Sequence, residues 1–505
     1  MQIEPQGTAF AKRYARGEAQ VVWTTLVSDL ETPVSAFLKI TNTRPVSFLL
    51  ESVEGGAVRG RYSIIGLEPD LIWRTITGRA ELNRRARVDP GDYLPCAQPP
   101  LAALRALIAE SRIELPEALP PMAAGIFGYL GYDMVRLMEQ LPQPNPDPIG
   151  IPDAVLVRPT IVVVFDAVTD TITVVTPVRP QSGISADVAF ARASERLAAV
   201  VEALDAPLAH APPNTPAGPL TVWPSSNTTP AEYERMVNVA KEYIAAGDIF
   251  QVVLSQRFEA PFELPPFALY RALRRVNPAP FLYFLDFDGF AVAGSSPEIL
   301  VRVREGTVTI RPLAGTRPRG ATPQHDSALE AELLADQKER AEHLMLLDLG
   351  RNDVGRVARA ATVKVTDQFF IERFSQVMHI VSNVEGQLDA RYDALDALAA
   401  GFPAGTVSGA PKVRAMEIID ELEKDKRGLY AGAVGYFSAA GELDSCIVLR
   451  TALIKDGTMY VQAGAGIVAD SNPKSEQQEC VDKAKALFRA AEEAKRFASI
   501  ARRGQ

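Results

Sequence analysis

Two pairs of glutamates are the clearest candidates for chemistry in this chain. Glu339 and Glu342 lie three residues apart, and Glu476 and Glu479 repeat the spacing nearer the C-terminus. In a helix, this spacing places both carboxylates of a pair on one face. Such oxygen ligands suit Mg²⁺, which takes few carboxylates and keeps several waters. The same spacing is also typical of a solvated helix surface, so the pairs alone leave both interpretations open.

The segment VQAGAGIVADSNPKSE leads directly into the second glutamate pair. Its Gly464 and Gly466 leave the backbone bare, so a ligand can approach closely, although Gly-x-Gly also marks bulges and turns. The four histidines and three cysteines show no zinc-ligand spacing. Neither a Walker A sequence nor G-x-S-x-G is present, so P-loop and α/β-hydrolase chemistry lack their motifs.

Composition indicates a globular protein of two domains. The chain has 505 residues, 47% hydrophobic and 23% charged, which is typical of a protein with a large core. Its net charge of −9 disfavours nucleic acid and anionic membranes as partners. No apolar run reaches the ~18 residues of a membrane helix, and the N-terminus lacks a signal-peptide pattern. Three widely spaced cysteines argue against a disulfide framework. We therefore expect a cytoplasmic protein.

A segment rich in proline, alanine, serine and asparagine predicts a linker at 203–229. It separates an N-terminal domain at 20–202, rich in short β-like runs such as TIVVVF, from a C-terminal domain at 230–498.

Helices and strands of the C-terminal part do not alternate in a βαβ rhythm. Thr229 and Glu232 match a capping box that begins a helix. A long helix is predicted over about 328–350, and the last helix begins near Asn472 and runs to about 498. Gly-bearing β-branched runs separate them, among them a single strand predicted over VRVREGTVTIRPLAG (301–315). The pattern predicts an α+β fold with antiparallel strands.

Seven stretches of the C-terminal part resemble motifs of the chorismate-utilising enzymes, and in particular of the anthranilate synthase large subunits. In order, they are PLAGTRPRG (312–320), EHLMLLDLGRND (342–353), QVMHIVSNVEG (376–386), FPAGTVSGAPKVRAME (402–417), GLYAGAVGYF (428–437), DSCIVLRTA (444–452) and QAGAGIVADSNPKSEQQE (462–479). LLES (49–52) and RYSIIG (61–66) extend the resemblance into the N-terminal part.

The resemblance implies a two-layer antiparallel β-sheet sandwich flanked by helices, with chorismate bound in the C-terminal domain. Glu342 and Glu479 would ligate Mg²⁺ directly, with Glu339 and Glu476 close behind through waters. The residues that would bind the substrate are Gly315, Thr316, Tyr430, Arg450, Gly464, Ala465 and Gly466.

Four other charged residues near these motifs have two possible roles. Lys412 and Lys474 either add positive charge at the site or lie on the surface. Arg317 and Arg319, in PLAGTRPRG, are expected to pair with acidic neighbours and hold the loop.

The resemblance also implies catalytic roles for residues that would be unremarkable alone. Glu298, in AGSSPE, matches the position of the general acid, and burial would have to raise its pKa for that task. His379 matches the residue linked to pyruvate elimination, although a histidine between apolar residues on a strand is typically a core group. Thr406 matches an active-site position but is otherwise an ordinary turn residue.

Two positions favour the anthranilate branch of these enzymes. Relatives that add water carry a lysine base where this chain has Gln251, and a neutral amide cannot activate water. Relatives that make aminodeoxychorismate commonly carry lysine where this chain has Ala314. Three alternatives stay open at this point: an aminodeoxychorismate synthase, an isochorismate or salicylate synthase, and a binding protein without activity.

Nothing in the chain resembles a glutamine amidotransferase, so ammonia would come from a separate amidotransferase subunit in a heterodimer or heterotetramer. The N-terminal domain would sense L-tryptophan as an inhibitor, although LLESVEGG is also typical of a half-buried strand ending in a turn. The positions that match the tryptophan pocket are Ser52, Pro280, Phe281, Leu282, Tyr436 and Cys446.

Overall fold

The computed structural model describes residues 1–41, 44, 46–54, 58–208, 224–374 and 377–499. The described helices are α1 (Gly7–Ala15), α2 (Pro33–Thr41), α3 (Pro100–Glu110), α4 (Ala186–Asp205), α5 (Pro230–Ala246), α6 (Pro266–Val276), α7 (Pro323–Ala335), α8 (Gln337–Gly355), α9 (Ala394–Gly401), α10 (Lys412–Leu422) and α11 (Pro473–Ser499). The described strands are β1 (Gln20–Val27), β2 (Ser47–Glu54), β3 (Val58–Ile76), β4 (Arg79–Asn83), β5 (Leu94–Pro95), β6 (Gly125–Leu130), β7 (Ala154–Asp166), β8 (Thr171–Val178), β9 (Ser225–Ser226), β10 (Gln251–Pro261), β11 (Phe281–Asp286), β12 (Phe290–Ser296), β13 (Ile299–Arg304), β14 (Thr307–Ile310), β15 (Leu313–Pro318), β16 (Lys364–Arg373), β17 (Val377–Gln387), β18 (Gly409–Ala410), β19 (Ala433–Ser438), β20 (Leu443–Ile447), β21 (Thr451–Lys455) and β22 (Thr458–Ile467).

The strands form two antiparallel layers that share β3 and β7. The first layer runs in the order β1, β8, β7, β3, β2, β11, β12, β21, β22 and β10. The second continues from the other ends of β3 and β7 through β6, β19, β20, β13, β14 and β17, and both β15 and β16 also pair with β17. The predicted α+β fold with two antiparallel layers is confirmed.

The position of the shared strand β7 explains why its sequence is almost continuously apolar. Its 13 residues are buried except for half-buried Asp166, because other elements cover both of its faces. It pairs with β6 through Ala154–Val157 and with β8 through Val162–Asp166. One strand therefore serves both layers.

Three apolar clusters hold the layers together. The core between the layers contains Phe48, Phe127, Tyr283 and Tyr436. A second cluster packs α1, α2, α4, α6 and α11 on the outer face of the first layer. A third packs α3, α8, α9 and α10 on the outer face of the second. The helices therefore flank the sandwich on both sides, as predicted.

Most predicted elements are confirmed, and two are wrong in detail. The Thr229 capping box begins α5, and the last helix begins at Pro473 after Asn472. The single helix over 328–350 is wrong, because Asp336 takes an extended conformation and its carboxylate caps α8. The single strand over 301–315 is also wrong. It is divided into β13, β14 and the start of β15, since Glu305 and Gly306 form a turn with positive φ.

Strands of the two sequence halves pair directly, as in β2 with β11 and β6 with β19. The boundaries 20–202 and 230–498 stay predictions. Of the predicted linker at 203–229, residues 209–223 lie outside the described residues. Among the residues described, no helix is long and apolar enough to cross a membrane.

Candidate active site

The centre of the candidate site is a bulge in β15 at Gly315. Pairing with β17 shifts register between Ala314 and Thr316, and Gly315 has φ +75°, a conformation that glycine adopts without a Cβ clash. A Cβ on Gly315 would lie 3.3 Å from Glu339 Oε2. The bulge turns the Gly315 carbonyl and the exposed Thr316 towards the functional side chains.

His379 lies on β17 and is held in one tautomer. Its Nδ1 is 3.0 Å from the Gly315 carbonyl oxygen and 3.0 Å from Thr316 Oγ1. A carbonyl only accepts, so Nδ1 carries the proton and Nε2 has a free lone pair. His379 Nε2 is buried without a hydrogen-bond partner among the described residues. Burial first, and then the charge of Arg450, lowers the pKa of His379 to about 4. The imidazole is therefore neutral at pH 7.

Glu298 follows β12 and is almost completely buried, with 5% of its surface exposed. Thr406 Oγ1 donates a hydrogen bond to Glu298 Oε1 at 3.2 Å, and Leu313 provides a backbone hydrogen bond. Burial outweighs both contacts and raises the pKa of Glu298 to about 8. Glu298 therefore holds a proton near neutrality, as a general acid must.

Strand β15 contacts all three candidate groups within five residues. Leu313 contacts Glu298 through its backbone, Gly315 accepts from His379, and Arg317 Nη1 donates to Glu339 Oε1 at 3.3 Å. A single strand therefore contacts the candidate acid, the candidate base and Glu339 of the first carboxylate pair.

Two of the four predicted metal ligands lie on α8 and two on α11, and the charge of Glu479 reaches Glu342 across the two helices. Burial first, and then the negative charges of Glu339 and Glu479, raises the pKa of Glu342. Burial and the charge of Glu479 also raise the pKa of Glu476. Such a cluster of like charges, with oxygen as its only donor atom, fits a hard divalent cation.

Cationic side chains engage two of these glutamates. Arg317 pairs with Glu339, and Lys483 Nζ lies 2.7 Å from Glu479 Oε1. In this arrangement, no three acidic, histidine or cysteine side chains of the described residues lie close enough to hold an ion. Magnesium binding therefore stays a prediction.

The predicted glycine loop is a paired strand. Gly464, Ala465 and Gly466 lie in β22 opposite Ser255, Leu254 and Val253 of β10. Because the two glycines lack side chains, neighbouring side chains can approach this strand closely. A Cβ on Gly464 would lie 2.9 Å from Tyr430 Oη, and one on Gly466 would lie 2.7 Å from Gln251 Nε2. Gly-x-Gly therefore makes room for two other predicted site residues.

Gln251 and Arg450 both offer polar groups without partners among the described residues. Gln251 Oε1 is buried and has no hydrogen-bond partner in the described part of the chain. Arg450 is half-buried at φ 48°, and burial alone lowers its pKa. A guanidinium in this state suits an anionic ligand.

Three of the remaining predicted cations have structural roles. Arg317 pairs with Glu332 and Asp336 in addition to Glu339. Arg319 Nε is 2.8 Å from Asp326 Oδ1. As predicted, these two arginines hold the loop. Lys412 Nζ bonds Asp353 Oδ2 at 2.9 Å in a buried pair, whereas Lys474 is exposed on the first turn of α11.

The six residues predicted to bind tryptophan line one cavity of about 550 Å³ between the layers. Ser52 and Phe281 lie opposite each other on β2 and β11, and the Ser52 hydroxyl donates to the Tyr62 carbonyl at 3.0 Å. Glu298 lines the same cavity. The cavity is lined by Ser52, Pro280, Phe281, Leu282, Tyr436 and Cys446 together with charged residues of β13, β16 and β20.

Sequence reasoning missed charged residues at two places beside the candidate active site. Lys483 Nζ bonds the Gly464 carbonyl at 2.9 Å as well as Glu479. Arg427 and Glu423 form a buried ion pair at 2.6 Å behind Thr406 and Tyr430. Both pairs have i, i+4 spacing, but only Glu479 and Lys483 share a helix, where this spacing is a signal that could have found them.

Known proteins are similar to this chain in sequence. The chorismate binding enzyme family matches residues 69–489. Anthranilate synthase component 1 of Cereibacter sphaeroides is 58% identical over 503 residues, covering 98% of this chain and 99% of that relative. The Aquifex aeolicus protein of the same name is 48% identical over 474 residues, covering 93% of this chain and 94% of the relative.

Solved structures of known proteins are also similar to this chain. Anthranilate synthase component I of Streptococcus pneumoniae aligns with TM-score 0.75 and 37% identity over 92% of this chain and 99% of that one. The menaquinone-specific isochorismate synthase of Escherichia coli shares the fold alone, with TM-score 0.69 at 21% identity over 96% of this chain and all of that one. The chain therefore belongs to the chorismate-binding enzyme family and, within it, to the anthranilate synthase component 1 group. It is an enzyme of the lyase class, and the resemblance found in its motifs is confirmed.

The geometry at His379 predicts its titration. In spectra of ¹⁵N-histidine-labelled protein, we expect His379 to carry its proton on Nδ1 at pH 7 and to stay neutral down to about pH 5, because burial lowers its pKa to about 4. The chain has four histidines, so a His379→Gln variant identifies the signal by its loss. A titration midpoint near the ordinary pKa of about 6.5, or a proton on Nε2, would contradict this geometry.

Proposed function

We propose that this chain converts chorismate and ammonia to anthranilate, pyruvate and water, as the first committed step of tryptophan biosynthesis. Ammonia comes from glutamine through a partner amidotransferase subunit, the reaction depends on Mg²⁺, and L-tryptophan inhibits it. The names of its relatives support the reaction. The observation that carries the proposal is that β15 contacts both Glu298, whose burial raises its pKa to about 8, and a neutral His379, whose Nε2 has no partner among the described residues.

The first half of the reaction needs an acid. Ammonia adds at C2 of chorismate while the C4 hydroxyl leaves, and this oxygen must be protonated as it departs. Glu298 is the side chain suited to the task, because its pKa of about 8 keeps a proton available at neutral pH. The Thr406 hydroxyl fixes the carboxyl group that delivers the proton.

The second half needs a base. Loss of pyruvate restores the aromatic ring once a proton leaves the ring, and the free Nε2 of His379 can accept it. A pKa of about 4 makes His379 a weak base in the free enzyme. A dianion beside Arg450 would offset the positive charge that lowers this pKa, so substrate binding itself would strengthen the base.

Gln251 and Ala314 support ammonia as the nucleophile and anthranilate as the product. The buried Gln251 carbonyl oxygen lacks a partner among the described residues, so it can accept a hydrogen bond from ammonia but cannot deprotonate water. The buried Ala314 side chain offers neither amine nor charge.

Magnesium would be held by Glu342 and Glu479, with Glu339 and Glu476 behind them. When bound, it would hold the ring carboxylate and draw electron density from the conjugated system. The like charges near Glu342 support this assignment: its pKa is raised by burial and then by Glu339 and Glu479, and a divalent cation would relieve that repulsion.

Two further features concern the cellular setting. Component 1 in the names of relatives supports a second component as partner, which would supply the ammonia in a heterodimer or heterotetramer. The described cysteines, Cys96, Cys446 and Cys480, are free thiols, which fits the reducing cytoplasm.

The test is product formation by the purified chain with chorismate, Mg²⁺ and ammonium at mildly alkaline pH. We expect fluorescent anthranilate and stoichiometric pyruvate without any partner subunit, and loss of activity in EDTA that excess Mg²⁺ restores. A Glu342→Gln/Glu479→Gln variant should lose at least about 10²-fold in kcat/KM, because it removes two carboxylates.

Product identity separates the alternatives. An accumulating non-aromatic amine would instead indicate an aminodeoxychorismate synthase. Isochorismate or salicylate made without ammonium would indicate the water-using branch, and no turnover would indicate a binding protein.

Tryptophan inhibition is supported by the cavity between the layers. All six matching residues line it, and β2 from the N-terminal half pairs there with β11 from the C-terminal half. An occupant would therefore contact both halves of the chain and lie near Glu298.

Replacement of Ser52 tests this role. We expect Ser52→Phe to raise the tryptophan concentration for half-inhibition at least tenfold, because the larger side chain fills the cavity that Ser52 lines. The measurement is anthranilate formation against tryptophan concentration, and Ser182→Phe on an exposed turn is the control. Equal inhibition of both variants would remove the assignment of this cavity.

A further inference from the structure

A buried ion pair lies behind the candidate site and has no role in the chemistry above. Arg427 Nε and Nη2 donate to Glu423 Oε2 and Oε1 at 2.9 and 2.6 Å. The two side chains are 1% and 4% exposed. An apolar pair of equal size is often at least as stable as a buried ion pair. Stability alone therefore gives no reason for these residues.

The guanidinium holds the turn that carries Thr406. Arg427 Nη1 donates to the Val407 carbonyl at 2.7 Å, and Val407 directly follows Thr406 in a short 3-10 turn. Thr406 in turn donates to Glu298. Two hydrogen bonds and the peptide unit between Thr406 and Val407 therefore connect Arg427 to Glu298.

The same ion pair holds β10. Arg427 Nη2 donates to the Val253 carbonyl at 2.6 Å, while Glu423 Oε1 accepts from the Ser255 amide at 2.7 Å and from its hydroxyl at 2.8 Å. Ser255 lies opposite Gly464 in the sheet. The Arg427 guanidinium also lies 5.4 Å from the centre of the Tyr430 ring.

These contacts need a planar guanidinium. Its fork meets the carboxylate with two bonds and reaches two carbonyls on different segments at the same time. A lysine ammonium at the same place could keep the charge and the bond to Glu423, but it could not reach both carbonyls in this geometry.

We propose that Arg427, held by Glu423, is a positioning residue for the general acid: it fixes the turn Gly405–Val407 relative to β10, and thereby sets the Thr406 hydroxyl against Glu298. This inference rests on the proposed function, because it takes Glu298 as the acid. It assigns no contact with substrate to Arg427.

The test compares pH profiles of kcat, with chorismate and free ammonia saturating at each pH. In the wild type, activity needs protonated Glu298, so it should fall as pH rises through about 8. Thr406→Val removes a bond that lowers the pKa of Glu298, so its alkaline limb should move to higher pH. Charged groups that share the Glu298 cavity, among them Glu51, Arg61, Arg302, Arg311, Glu372 and Asp444, are unchanged in every variant.

Arg427→Lys should move the alkaline limb in the same direction as Thr406→Val and lower kcat about 10²-fold, the effect of about 1 Å of misplacement. The double variant should shift the limb no further than Thr406→Val alone. The control is Arg158→Lys, which weakens another buried arginine that bonds Asp70 and Glu110. We expect it to lower the thermal midpoint without moving the limb.

An unchanged limb in Arg427→Lys overturns the proposal whatever happens to kcat, and so do shifts that add in the double variant. If Arg427→Lys does not fold, Glu423→Gln answers the same question, because it keeps the shape and weakens the hold on Arg427. A wild-type chain that makes no anthranilate would instead refute the proposed function, so the two failures are distinguishable.

Discussion

The hydrogen bond between the Gly315 carbonyl and His379 Nδ1 is the contact on which the rest of this site depends. It fixes the tautomer of the histidine, and it exists because the backbone at Gly315 takes a positive φ at the bulge. The same strand contacts the acid two residues earlier and the carboxylate cluster two residues later. The candidate acid, base and metal-binding groups therefore share one frame, and a shift of β15 would disturb all three.

Strand β15 is held by a neighbouring strand and by two helices. β15 is paired with β17, and Arg317 and Arg319 attach it to α7 and α8 through Glu332, Asp336 and Asp326. The cavity between the layers reaches Glu298 from the other side. An occupant of that cavity would therefore lie beside the proposed acid.

Motifs indicated the candidate site residues, but not how the fold holds them. The carboxylate pairs, His379 and Glu298 were identifiable because their neighbours are distinctive. The pairing of Gly464 and Gly466 in a strand was not identifiable, since a glycine in a loop and a glycine in a strand beside a bulky side chain look the same in a sequence. The end of one helix and the start of the next at Asp336 could not be predicted, because an aspartate that caps a helix and an exposed aspartate within a helix look the same in a sequence. Arg427 was missed because two of its acceptors, the carbonyls of Val407 and Val253, lie 20 and 174 residues away in the sequence. Burial, which sets the pKa values of Glu298 and His379, is a property of the whole fold.

The most direct test of this account compares Gly315→Ala with Gly306→Ala. The two glycines have φ of +75° and +72°, but only Gly315 lies against site residues, whereas a Cβ on Gly306 would meet open space. Both variants should lose a similar ~1–2 kcal/mol of stability from the left-handed backbone. We predict that only Gly315→Ala also loses about 10²-fold in kcat, together with the Nδ1–H signal of His379. Wild-type kcat in folded Gly315→Ala, or an equal loss in Gly306→Ala, would contradict the central role of β15.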